Sequence, residues 1–146
     1  MGTIRERLIG TWRLVSYLVQ SADGSITYPM GRELAGMIMY VPDGYMSANL
    51  MVPGRPPFSG GSASSATVEE LAAAAAGYFG YAGKFEVDEA TKVVTHYIDV
   101  ALAPNLSGTA QRRRVEFDGR RLQLRGDPTP AAAGTAAPVI TWERVG

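Results

Sequence analysis

The 146 residues carry 14 basic and 14 acidic side chains, so the chain has no net charge with which to attract nucleic acid or an anionic membrane. Its length predicts a single domain, residues 1–146, with a sizeable core. There is no cysteine and one histidine, His96, which excludes thiolate chemistry and disfavours a protein-only zinc site. We therefore expect no metal, no cofactor, no nucleic-acid partner and no membrane partner.

The first residues, MGTIRERLIG, carry charges where a signal peptide needs an apolar run. No later stretch is long and apolar enough to span a membrane as a helix. We therefore expect a cytoplasmic protein. Its oligomeric state stays open, a homodimer included.

The chain begins with a predicted short helix, Thr3 to Ile9, with Thr3 as N-cap and Glu6 as its capping partner. Gly10 ends that helix. Alternating apolar and polar residues with many aromatic and β-branched side chains predict a strand over 11–20 and a short return strand over 26–30.

A hairpin follows over residues 35–52, and Asp43-Gly44 predicts a two-residue turn within it. That turn would pair Tyr40 with Ser47 and Met39 with Ala48. One apolar face would then point inward: Met37, Met39, Val41, Met46, Ala48 and Leu50. Methionines on such a face are typical of gap-filling core, and they can also form an adaptable wall around an apolar ligand.

Residues 53–66 are rich in proline, glycine and serine, which predicts either a solvated loop or a lid that carries Phe58. Thr67 and Glu70 form the capping box of a helix built on an alanine run. Its predicted buried stripe is Leu71, Ala74, Ala75 and Tyr78.

Four antiparallel strands are predicted between Gly80 and Leu124. A four-residue loop at 88–91 would pair Gly83 with His96, and a glycine in that place leaves room beside the imidazole. His96 would share its inward face with other members of these strands: Tyr81, Phe85, Val87, Val94, Ile98, Val100 and Leu102.

Arg113 also falls on the inward face, because a turn at Asp118-Gly119 pairs it with Leu124. A buried charge is costly, so Arg113 needs a carboxylate from another strand, the cavity mouth, or a ligand with an anionic or carbonyl group. Pairing of Arg113 with Val100 would leave it about 13 Å from His96, and a sheared pairing would close that gap. A last strand over 139–145 places Ile140, Trp142 and Arg144 on one side, and eight or nine such strands favour a closed barrel.

Several segments resemble the bacterial lipocalin-like domain family, a calycin-type β-barrel. They are LIGTWRLVSY (8–17), YPMG (28–31), DGYMSANLM (43–51), GYFGYAGKFEVD (77–88) and VTHYIDVALAPNLSGTAQRRRVEFDG (94–119). The resemblance implies an all-β, up-and-down antiparallel barrel of 8–9 strands around a ligand cavity, with a short N-terminal helix and one mid-chain helix. It also implies that Arg144 packs over Trp12, next to Gly10, and closes the base of the barrel.

The first functional hypothesis is the binding of a small hydrophobic metabolite with a carbonyl or acid group. Arg113 would hold that group, and His96 and Tyr81 would form hydrogen bonds elsewhere on the ligand. The remaining wall would comprise Met37, Met39, Met46, Gly83, Ile98, Leu124 and Trp142. In another interpretation His96 is a hydrogen-bonded core residue, and in a third it is an axial haem ligand.

The second hypothesis is a cofactor-independent isomerase or cyclase of secondary metabolism, acting on a polyketide-like substrate. His96 or Tyr81 would then be catalytic and move a proton. Arg113 would stabilise a developing enolate. A barrel filled with side chains would instead indicate a structural or interaction module.

Overall fold

The computed structural model describes residues 2–131 and 134–146. Within those residues it has ten strands and two α-helices, and eight of the strands close into an antiparallel barrel. The elements are α1 (Ile4–Leu8), β1 (Gly10–Ser21), β2 (Ile26–Thr27), β3 (Ala35–Tyr40), β4 (Tyr45–Met51), α2 (Val68–Ala76), β5 (Tyr78–Asp88), β6 (Val93–Ala101), β7 (Ala110–Asp118), β8 (Arg121–Gly126), β9 (Thr129–Ala131) and β10 (Gly134–Arg144). The predicted all-β, up-and-down barrel with two helices is confirmed.

The barrel strands follow one another in chain order, and pairing of β1 with β10 closes the ring. This pairing runs from Trp12 opposite Arg144 to Ser21 opposite Ala136, with a bulge between Leu14 and Ser16. The short strands β2 and β9 add to β1 and β10 outside the ring. Closure leaves the eight long strands without a free edge, and the alternate side chains of each strand point into one interior.

The base of the barrel is closed by three predicted residues that act together. Trp12 is buried, its Nε1–H donates to the Leu8 carbonyl, and the Arg144 guanidinium lies 4.1 Å from the centre of its ring. Arg144 also donates to the carbonyls of Ile9 and Arg7 at the end of α1. Gly10 has a φ of +132°, and a Cβ there would meet Arg144 Nη1 at 2.6 Å, so the arginine can only fit beside a glycine.

The β5–β6 pair is shifted by two residues from the predicted register, and between β6 and β7 Arg113 pairs with Val94 and not with Val100. Gly83 lies opposite Ile98 and not opposite His96, which pairs with Phe85. The four-residue loop begins one residue later than predicted, because the Asp88 carboxylate accepts hydrogen bonds from the backbone N–H groups of two loop residues, Ala90 and Thr91. A shift of two residues keeps the side chains between Gly83 and Ile98 on their predicted faces. A bulge between Ala82 and Gly83 then changes the register by one more residue, so Val100 and Leu102 lie outside, 63% and 48% exposed, contrary to the prediction.

The turn between β7 and β8 also lies one residue later in the chain than predicted. Its two-residue loop consists of Gly119 and Arg120, and Gly119 takes the positive φ of 60° that such a turn requires. Arg113 therefore pairs with Gly126 instead of Leu124, and still faces the interior.

The β3–β4 hairpin departs from the prediction by one residue, which inverts a face. Tyr40 pairs with Met46, and the loop contains three residues, Pro42, Asp43 and Gly44. Proline fixes φ near the value of the first corner of a type I turn, and Gly44 completes the loop at a φ of +97°. Met37 and Met39 therefore lie on the outer face of the barrel, contrary to the prediction, and Met37 is 41% exposed.

Helix α2 begins at the predicted capping box of Thr67 and Glu70. Its predicted buried stripe is wrong, because none of the helix residues is buried and Leu71 is 42% exposed. The 53–66 segment is tied to this helix. Arg55 Nη1 donates to the Ala74 carbonyl, and the Ser59 N–H and hydroxyl donate to the Glu70 carboxylate. In the described part of the chain, no helix is long and apolar enough to cross a membrane.

Replacing Arg144 by methionine tests whether this residue stabilises the closed base of the barrel. The Arg144→Met variant keeps an unbranched side chain similar to the aliphatic part of arginine, but removes the hydrogen bonds to the Ile9 and Arg7 carbonyls and the guanidinium contact with the Trp12 ring. We expect it to lower the free energy of unfolding by about 2–3 kcal/mol in urea denaturation. The matched control is Arg121→Met, since Arg121 makes an exposed ion pair with Glu143 and should cost under about 1 kcal/mol. Equal losses in both variants would contradict the assigned role of Arg144.

Candidate ligand-binding cavity

The interior of the barrel holds a cavity of about 220 Å³. Its wall is largely apolar, with a few polar side chains set into it. The lining residues are Tyr17, Ile38, Ala48, Leu50, Phe79, Tyr81, His96, Leu106, Gln111, Arg113, Leu124, Pro138, Ile140 and Trp142. An apolar concave site with a small number of polar groups is the usual form of a small-molecule site.

His96 lies in the wall of this cavity between two tyrosines. It is 1% exposed, and its Nε2 lies 2.7 Å from the Tyr40 hydroxyl while its Nδ1 lies 2.8 Å from the Tyr81 hydroxyl. Both ring nitrogens therefore have partners, as a buried imidazole requires. Strands β3, β5 and β6 supply the three side chains; β5 and β6 are neighbours in the sheet, and β4 lies between β3 and β5.

Burial and the nearby Arg113 charge lower the pKa of His96 from its ordinary value to about 3. Burial likewise raises the pKa of Tyr81, and raises that of Tyr40 well above its ordinary value. All three groups are therefore neutral at physiological pH. The imidazolium that a catalytic acid would need is not populated, and an imidazole with so low a pKa is a weak base.

Arg113 is the charged group of the cavity wall. Its side chain is partly buried, and Nη1 donates to the neighbouring Arg112 carbonyl. Among the described residues no carboxylate forms an ion pair with it, whereas Arg112 pairs with Asp127 outside the barrel. Because Val94 pairs with Arg113 and His96 pairs with Gln111, Arg113 and His96 are diagonal neighbours on the inner face, roughly 7–8 Å apart at Cα.

The indole N–H of Trp142 is a second unusual polar group in the cavity wall. The side chain is 1% exposed and lines the cavity, and its Nε1–H has no hydrogen-bond acceptor among the described residues. Buried tryptophan N–H groups normally have a partner. An unpaired donor in the wall is what a site for an acceptor-bearing ligand would contain.

The cavity wall includes five of the residues predicted from the sequence: His96, Tyr81, Arg113, Leu124 and Trp142. Two others, Met46 and Ile98, are buried in the core and do not line the cavity. Gly83 faces the β6 backbone, where a Cβ would come within 1.9 Å of the Tyr97 carbonyl oxygen, so this glycine permits close strand packing. Met37 and Met39 belong to the outer face, and no ligand contact is proposed for either.

Tyr40 is the main residue that the sequence reasoning missed. The inverted β3 face had placed it outside, and only the alternative three-residue turn around Pro42 could have turned it inward. Tyr17 and Gln111 line the cavity, unlike Tyr40, and were not predicted as site residues either. Gln111 lies two residues from Arg113 on the same strand, so the inward alternation of β7 was the signal available for it.

Comparison with known proteins agrees with this architecture. A family model described as a lipocalin-like domain matches residues 9–145. The chain belongs to the lipocalin-like domain family. The chain is also 39% identical over 85 residues to the 4′-hydroxy-3′-methoxypropiophenone carrier protein ppsC of Aspergillus oryzae. That match covers 54% of this chain and 77% of the fungal protein. No solved structure matches the chain.

The lone histidine makes the electrostatics of the cavity directly measurable. We expect the His96 ring proton signals in NMR to stay unchanged from about pH 8 to about pH 5, because the folded-state pKa is near 3. The control is the same protein in urea, where the signals should titrate near the ordinary histidine value of about 6.5. Since the unfolded state takes up this proton first, His96 destabilises the fold as the pH falls below that value. An inflection near neutrality in the folded protein would contradict the assignment.

Proposed function

We propose that this lipocalin-like protein binds and carries a small hydrophobic metabolite with a carbonyl or acid group. The observation that carries the proposal is Arg113, a partly buried cation in an apolar wall with no carboxylate ion-pair partner among the described residues. A buried charge without a partner is costly, and a ligand acceptor or anion would offset that cost.

The size of the cavity limits the ligand. In another protein an apolar cavity of roughly 150 Å³ binds benzene. A cavity of about 220 Å³ therefore suits a single ring with short substituents better than a long acyl chain. The apolar wall, with Leu50, Phe79 and Ile140 among its members, would contact the ring.

The named fungal relative supports the same chemistry. The compound in its name, 4′-hydroxy-3′-methoxypropiophenone, is a single aromatic ring with a ketone and two further oxygen substituents. We propose that this chain takes a ligand of the same class, an aryl ketone or a related aryl acid.

The alternative of a cofactor-independent isomerase or cyclase has weaker support. A proton shuttle works best with a pKa near the working pH. Burial lowers the pKa of His96 to about 3 and raises the pKa of Tyr81 above its ordinary value. Both shifts fix the neutral forms, which suits hydrogen bonding to a ligand better than proton transfer.

Titration with 4′-hydroxy-3′-methoxypropiophenone tests the binding proposal. We expect saturable heat in calorimetry and quenching of tryptophan fluorescence, because Trp142 lies in the wall. Ala48→Leu places extra methyl groups in the cavity and should weaken binding about tenfold or more. The control is Ala72→Leu on the exposed face of α2, which should bind normally. Absence of both signals with the wild type would count against the proposal for this ligand class.

Arg113→Met separates ligand binding from stability. Removal of a partly buried, unpaired cation should leave the free energy of unfolding unchanged or raise it. The same change should weaken binding of an aryl ketone or aryl acid about tenfold, since a charged hydrogen bond is lost. Arg112→Met is the matched control, because Arg112 precedes it on β7 but faces solvent and pairs with Asp127. Retained affinity together with a large loss of stability would assign Arg113 a structural role instead.

A further inference from the structure

The two hydrogen bonds of His96, to Tyr40 and Tyr81, bear on which hydrogen-bonding groups the cavity can offer to a ligand. A neutral imidazole has one N–H donor and one lone-pair acceptor. Both of its nitrogens lie within 2.8 Å of a tyrosine hydroxyl. One tyrosine must therefore donate to the ring and the other must accept from it. The accepting tyrosine keeps its own proton for a third partner.

The surroundings of the two hydroxyls differ. Tyr40 is 1% exposed and does not line the cavity, and among the described residues its hydroxyl has no hydrogen-bond partner besides His96. If Tyr40 were the acceptor, its proton would be buried among apolar side chains such as Phe85. Tyr81 lines the cavity, so a proton left on its hydroxyl can reach a ligand.

We infer that the chain runs in one direction: Tyr40 donates to His96 Nε2, His96 Nδ1–H donates to Tyr81, and the Tyr81 hydroxyl donates to the ligand. This inference rests on the proposed function for the identity of the last partner. The cavity then presents donors to its ligand from Tyr81 and Arg113, and the unpaired Trp142 N–H is a third donor in the wall. Such a set selects for an acceptor such as a carbonyl oxygen and discriminates against the same molecule without it.

The direction of the chain also makes Tyr40 a positioning residue. Its donated hydrogen bond occupies Nε2 and so holds the proton of the ring on Nδ1. Without Tyr40, the ring can take its other tautomer and accept the Tyr81 proton at Nδ1. Tyr81 would then no longer donate to the ligand. The effect of Tyr40 on ligand choice would therefore be indirect, through His96.

The tautomer can be read directly because the protein has one histidine. A long-range ¹H–¹⁵N correlation spectrum of the wild type should show Nδ1 protonated and Nε2 unprotonated. This measurement needs neither ligand nor mutation, so it does not depend on the proposed function. A spectrum with Nε2 protonated would overturn the inference.

The ligand end of the chain is tested with a matched pair of probes, 4′-hydroxy-3′-methoxypropiophenone and 2-methoxy-4-propylphenol, which lacks only the ketone oxygen. We expect Tyr81→Phe and Tyr40→Phe each to reduce the preference for the ketone about tenfold, measured as the ratio of the two dissociation constants. If either tyrosine had only a structural role, its substitution would weaken the binding of both probes equally and leave the ratio of the dissociation constants unchanged. Tyr45→Phe, on the exposed outer face of β4, is the control.

The outcomes separate the two proposals. If both probes bind and the ratio is the same in the wild type and in Tyr81→Phe, binding stands and the inference is overturned. If neither probe binds, the proposed function fails for this ligand class, and the tautomer spectrum alone decides the direction of the chain. A preserved fold in each variant is checked by the dispersion of its amide spectrum.

Discussion

The pairing of β1 with β10 is the constraint on which the rest of the molecule depends. It turns an open sheet into a ring, and only a ring gives eight strands a common interior. Arg144 is on the last strand of that pair, and it also contacts Trp12 on the first strand and the end of α1. One side chain thus joins both ends of the chain to the base. The cavity occupies part of the interior of this ring, and buried side chains such as Met46 and Ile98 pack the rest.

The cavity combines an apolar wall with a surplus of hydrogen-bond donors. Arg113 contributes a charge with no carboxylate ion-pair partner among the described residues, and the Trp142 N–H is unpaired there. A sequence under selection for stability alone would not retain such groups, because apolar residues of similar size would fit the same places at lower cost. Their presence in one small cavity is the physical reason to assign the interior to binding.

The fold and much of the cavity wall followed from the sequence, and the errors have a common form. Alternation within each strand predicts His96, Tyr81 and Arg113 on the inner face, and the two-residue register shifts between β5 and β6 and between β7 and β8 leave these three side chains inside. The β3–β4 hairpin differs from the prediction by a single residue, which places Tyr40 inside the barrel and its neighbours Met37 and Met39 outside. Turn length was the weak point, because Pro42-Asp43-Gly44 is compatible with either a two-residue or a three-residue loop. The buried stripe predicted for helix α2 was wrong for another reason: a run of alanines has no distinct apolar stripe.

The low pKa of His96 also bears on how a carried molecule would be released. Many carriers unload when acidification charges a histidine in the binding site. Here burial lowers the pKa of the imidazole to about 3 and raises the pKa of Tyr81 and Tyr40, so these three groups stay neutral in mild acid. Mild acidification would therefore not release a ketone cargo by charging His96. Delivery would then follow the concentration of free cargo, and a carrier of this kind would act as a buffer that fills when cargo is made and empties as the next step consumes it.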